Sequence, residues 1–171
     1  MASVASRVLP ALLLSTSALV FGCSPPDPAW SVACTERGAR DVIPGTGDGA
    51  FVSVDEGEVP VQSGSQGGQH IWFGVRVKNM GGPEVTVQFG IVNAEDPTIV
   101  YSGPLAEREV LGYNAEEEAS EVAGMYGYLQ TAWDPNTDEP LPGPEGKAIV
   151  LWADVTDECG TVHGESTAQV K

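Results

Sequence analysis

Four oxygen-bearing residues, Asp134, Asn136, Asp138 and Glu145, fall at places 1, 3, 5 and 12 of a calcium-loop spacing, the oxygen-rich kind that suits a hard cation. The fit is incomplete. Place 6, where the loop turns sharply and needs glycine, holds Glu139, and Pro140, Pro142 and Pro144 stiffen the second half of the loop. A strand pattern comes next, where that motif requires a helix. The simpler expectation is a solvated, proline-rich acidic loop. A second set is Cys159 and His163 with His70 upstream, the ligand types of a copper site in a β-sheet protein. No methionine comes after His163 to act as the axial ligand, so each histidine reads as a polar residue on an exposed strand face. A third set is aromatic. Trp72, Tyr126 and Tyr128, with Trp133 and Trp152 further off, could form a stacking platform for a sugar or a protein partner; filling of a core or a sheet surface is the commoner use of such rings.

Signatures of catalysis are missing. The stretch Ser63-Gly64-Ser65-Gln66-Gly67-Gly68 lacks the spacing of a nucleophile elbow and reads as a flexible loop. No phosphate-binding loop and no His-Glu-x-x-His zinc motif occur. The expectation is a protein without catalytic activity and without a cofactor.

The elements that must position these residues are short strands. Gln69–Asn79 alternates, with Ile71, Phe73, Val75 and Val77 on one face and His70, Trp72, Arg76 and Lys78 on the other. After the turn at Met80-Gly81-Gly82-Pro83, Glu84–Asn93 repeats the pattern with Val85, Val87, Phe89 and Ile91. Further strands are expected at Gly49–Val54, Thr98–Ser102, Glu107–Leu111, Gly124–Thr131, Lys147–Thr156 and Val162–Val170. Lys147–Thr156 is apolar on both faces and so belongs in the middle of a sheet. One short helix could run from a cap at Asn114, through Glu116–Glu118, to Gly124. The fold expected is all-β, an antiparallel β-sandwich.

The 171-residue chain carries 24 Asp+Glu against 8 Lys+Arg, a formal charge of −16. That argues against a nucleic-acid partner, which needs clustered Lys and Arg, and against binding to an anionic bilayer by charge alone. It suits the solubility of an exported protein.

Cys23 comes after an apolar run, Val8–Val20, that is about 13 residues long and so short of the ~20 that span a bilayer. Three roles suit such a cysteine: disulfide partner, metal ligand or membrane anchor. The ending Val20-Phe21-Gly22-Cys23 resembles the signal of bacterial lipoproteins, with Phe21 bulkier than the usual residue at its place. The resemblance implies cleavage after Gly22 and lipidation of Cys23, with acyl chains that hold the protein to a membrane. Ser24 then implies the outer membrane of the bacterial cell envelope. Residues 1–22 become a signal peptide, 23–33 a lipidated cysteine with a proline-rich tether, and 34–171 the folded domain. With Cys23 occupied, Cys34 and Cys159 remain, and an oxidising compartment makes a disulfide between them the default over two free thiols or intermolecular pairing.

Two further likenesses are local. Val155-Thr156-Asp157, with Gly160 beyond it, resembles the last hairpin of bacterial immunoglobulin-like modules, which implies that topology for the sandwich. Gln66-Gly67-Gly68-Gln69-His70-Ile71-Trp72 is similar to a pattern in bacterial surface lipoproteins and implies no activity. The function expected is a lipid-anchored cell-envelope binding or structural module, with the membrane and an envelope protein or glycan as partners. The alternatives are a carbohydrate- or metal-binding envelope protein, or an enzyme without a recognisable motif.

Overall fold

The computed structural model describes residues 26–54, 57–64, 68–134 and 137–171; the signal segment and Cys23 lie outside them. The fold is all-β, built on two five-stranded sheets. In chain order the strands are β1 (Asp41–Gly45), β2 (Glu58–Val59), β3 (Gln62–Ser63), β4 (Gln69–Lys78), β5 (Glu84–Asn93), β6 (Val100–Val110), β7 (Gly112–Asn114), β8 (Ala119–Tyr128), β9 (Ala148–Asp157) and β10 (Gly160–Val170). The first sheet runs β1-β4-β8-β7, with β3 also paired to β4; the second runs β2-β10-β9-β5-β6. Among the described residues no helix is long and apolar enough to cross a membrane.

Alternation makes the core. Ile71, Phe73, Val75 and Val77 of β4 face Val87, Phe89 and Ile91 of β5 and Ile149, Leu151 and Val155 of β9, all buried. The Phe73 and Phe89 rings stack between the sheets at 4.5 Å. Each such side chain contributes roughly 1.5–3 kcal/mol by leaving water. Strand β9 lies between β10 and β5, the central place its two-sided apolar pattern requires. At one corner the sheets nearly touch: Gly164 of β10 is buried, and a Cβ there would collide with the Val42 carbonyl of β1.

Several expected elements differ. Asn114 caps a turn, not a helix: its Oδ1 accepts from the Glu116 and Glu117 amides at 3.1 and 3.4 Å, and Glu118 takes a positive φ of 49°. The chain then returns as β8, because Ala119 and Ser120 find ladder partners in Asn114 and Tyr113. The two strands expected across residues 98–111 are one, β6. It tolerates Gly103-Pro104 through a bulge, since the pairing shifts from Phe89↔Leu105 to Ile91↔Ser102. Gly49–Val54 forms only an isolated bridge, Thr46↔Val52.

Of the segment expected as a tether, residues 26–33 are described, and two of them, Asp27 and Trp30, pack against the domain. Asp27 is buried, accepts from the Ala29 amide at 2.8 Å and from the Ser120 hydroxyl at 2.7 Å, and so caps a 3-10 turn, Pro28–Ser31. Trp30 packs against the core. Further on, Arg37 donates to the Met80 and Gly81 carbonyls, and the Cys34–Cys159 disulfide closes a sequence separation of 125 with the Cα atoms 5.5 Å apart. The N-terminal segment is thus held at one end of the molecule, where β4 ends and β8 begins.

Candidate functional site

The aromatic patch sits at the other end. Cross-strand partners share a sheet face, and β4 and β8 pair His70 with Tyr128 and Trp72 with Tyr126. Their neighbours Ile71, Phe73 and Met125 point into the core, so these four rings face outward. Ring centroids are 4.3 Å apart for Trp72 and Tyr126, 4.9 Å for His70 and Trp72, and 4.9 Å for His70 and Tyr126. Tyr126 and Tyr128 lie nearly parallel, 15° between planes and 5.5 Å between centroids. Tyr126 is 41% exposed and Tyr128 55%. The structure brings Trp72, Tyr126 and Tyr128 together; the two-residue spacing put only the two tyrosines on one face.

His70 is a fourth member that the sequence pattern did not single out. It is only 6% exposed, covered by its aromatic neighbours, not on open surface as expected. Its Nε2 is buried and has no hydrogen-bond partner, a state that costs about 1–3 kcal/mol. The available signal was its alternation with Trp72 on the polar side of the strand. Gln62 of β3 is the register partner of His70 and completes a row Gln62–His70–Tyr128 across three strands. On the opposite face of β4 the Gln69 amide donates to Glu145 Oε1 at 3.3 Å.

A loop bounds the patch. After β1 the Thr46 hydroxyl donates to the Trp72 carbonyl at 2.6 Å, and the Gly47 carbonyl accepts from the Gly124 amide of β8 at 2.9 Å. The chain thus crosses β4 outside the core, with Asp48–Ala50 in solvent. Gly74 and Gly124 make room for it: a Cβ would meet the Thr46 carbonyl at 3.3 Å and the Asp48 carbonyl at 3.1 Å, respectively. Gly124 also has φ +94°, which favours glycine. Beyond the loop the chemistry changes. Arg76 lies 4.8 Å from the Phe51 ring centroid and pairs with Glu121 at 2.6 Å and Glu117 at 3.1 Å.

The other candidates are not assembled as the copper and wider aromatic readings require. Trp133 is exposed in the loop after β8, and Trp152 lies on the second sheet, over Gly90. Cys159 is in the disulfide, while His70 and His163 sit on different sheets, so the copper set does not converge. Cys34 and Cys159 also cluster with Glu158, but their joined sulfurs offer no thiolate to a metal. In the acidic loop Asn136 lies outside the described residues. The Asp138 amide donates to the Asp134 carbonyl at 2.9 Å, and the loop is closed by a bridge between Trp133 and Pro140.

On the outer face of the second sheet His163 Nδ1 meets Asp154 at 2.7 Å and Nε2 meets Glu165 at 3.1 Å. The hydrogen bond to Asp154 first, then that to Glu165, raises the histidine's pKa above its usual value, since both nitrogens can donate only in the imidazolium. Each nitrogen serves a different carboxylate, so the trio does not converge on one cation. A cleft lined by Glu84, Thr86, Arg108, Glu109 and Glu158 contains neither histidine nor cysteine. Burial, then the hydrogen bond and charge of Glu107, raises the Glu109 pKa.

Neither family models, curated proteins nor solved structures match the chain.

Proposed function

We propose that this protein is a lipid-anchored binding module of the bacterial cell envelope, an immunoglobulin-like β-sandwich that presents the His70–Trp72–Tyr126–Tyr128 face to another envelope component. The observation that carries the reading is this contiguous, half-exposed aromatic patch on an otherwise acidic protein. Aromatic rings in contact, with two left open to water, are characteristic of surfaces that gain by being covered. Two sheets over one core and a disulfide that ties the N-terminal segment to the last hairpin support the sandwich. The lipid is read from Val20-Phe21-Gly22-Cys23, and the outer membrane from Ser24.

The placement of the patch fits an anchor at Cys23. Asp27 is held at Ser120, near the start of β8, while Tyr128 ends the strand. At the rise of an extended strand, Ser120 and Tyr128 are about 26 Å apart, so the patch is turned away from the end that receives the tether. No catalytic step belongs to this reading. Two measurements test it. Changing Cys23→Ala should release the protein from membrane fractions; continued partitioning with membranes removes the anchor. A photo-crosslinking amino acid at position 128, in intact cells, should give envelope adducts; no adduct removes the patch as the binding face.

A further inference from the structure

We infer that the ligand of the aromatic face is a neutral or amine-bearing glycan, whose pyranose rings lie flat on Tyr126, Tyr128 and Trp72. This rests on the binding-module reading above and names its ligand class. Three observations carry it. The first is ring geometry. Tyr126 and Tyr128 are stacked along the strand, 15° apart in plane, and Trp72 touches Tyr126 at 4.3 Å. Rings packed this closely leave no gap between them for a single cationic group, as an aromatic cage would need. They offer a continuous platform, suited to flat apolar faces laid side by side. A sugar ring presents such a face through its axial C–H groups and keeps its hydroxyls at the edge.

The second observation is the polar complement. Edge hydroxyls need planar donors and acceptors around the platform. The Gln62 side chain stands in the same cross-strand row as His70 and Tyr128 and offers both a donor and an acceptor there.

The third is charge. With a formal charge of −16, the protein repels polyuronates, phosphates and anionic lipid headgroups. Neutral hexose polymers and deacetylated amino-sugar polymers meet no such barrier.

The test uses the full mature chain in mild detergent, run on native gels cast with hydroxyethylcellulose, glycol chitosan or polygalacturonate. Retardation is expected in the first two gels and not in the third. Trp72→Ala and Tyr128→Ala should each weaken retardation about tenfold, the scale of a lost stacking contact on a partly desolvated ring. Tyr128→Phe should keep it, since the face and not the hydroxyl stacks. Absence of retardation in every gel, or retardation that both alanine variants retain, overturns the glycan assignment. The crosslink from position 128 separates the two levels. An adduct collapsed by protease but not by glycosidase overturns the glycan while the binding face stands. No adduct overturns the binding face as well.

Discussion

Arg40 and Asp157, 117 positions apart in the chain, meet at 2.6 Å, and the Asp157 carboxylate is fully buried. The same carboxylate accepts from the Cys159 amide at 2.8 Å and from the Gly81 amide, while Arg40 also donates to the Cys159 and Gly160 carbonyls at 3.0 Å. The pair therefore ties three pieces of backbone together beside the disulfide. A buried carboxylate is tolerable only with such a set of donors. Arg40→Ala should cost about 3–5 kcal/mol, because it leaves a buried charge with two amides in place of three partners. Urea denaturation checks this; a loss below about 1 kcal/mol would mean that water replaces the guanidinium.

Replacing both Cys34 and Cys159 by alanine should lower stability by up to about 4–5 kcal/mol, the chain-entropy value for so large a loop. Native strain subtracts from that figure. The Arg37 and Arg40 contacts remain in the variant, so the N-terminal segment should stay docked at low temperature and detach early on heating. Differential protease cleavage within residues 28–40 reads the order of events.

Stability should fall slightly from acid to alkaline pH because of His163. Its folded pKa is raised, so the bound proton favours the folded state. The contribution is complete below the ordinary imidazole value and is lost as pH rises through the folded one. The site is exposed, which keeps the effect under about 1 kcal/mol. His163→Gln should flatten this part of the pH profile, and an NMR titration of the imidazole should give a midpoint above about 6.5. A midpoint at or below that value contradicts the double hydrogen bond.

Asp27→Ala should release the first 3-10 turn. It removes the acceptor for the Ser120 hydroxyl and the Ala29 amide, at a cost of about 1–3 kcal/mol. Hydrogen exchange at Ala29 and Trp30 should accelerate, while the β4–β8 ladder keeps its protection. Unchanged exchange at Ala29 would show that Trp30 alone holds the segment.

Much of the sheet is legible in the sequence because burial repeats every second residue. Ile71 to Val77 and Val85 to Ile91 need only that rule. Strand β1 is not legible, since Pro44 interrupts it; the interruption is tolerated because β1 is an edge strand, where one side of the ladder lacks a partner. The pairing of Trp72 with Tyr126 depends on register, which alternation leaves open. His70 shows the same limit. Its position on the outward face agrees with the pattern, but its burial comes from rings on another strand and on its own, packed against it. The turn at Asn114 passes for a helix start because a capping asparagine begins turns as readily as helices, and only the Tyr113↔Ser120 pairing decides between them.

The Asp27–Ser120 clamp has a consequence for how many molecules act together. Were Cys23 lipidated as proposed, four chain steps would separate lipid from clamp, a reach of at most about 14 Å. Copies on so short a leash would carry their aromatic faces at a similar height above the membrane. A repeating ligand that bridges several copies would be held by avidity, with each contact weak and quickly released and the array as a whole retentive.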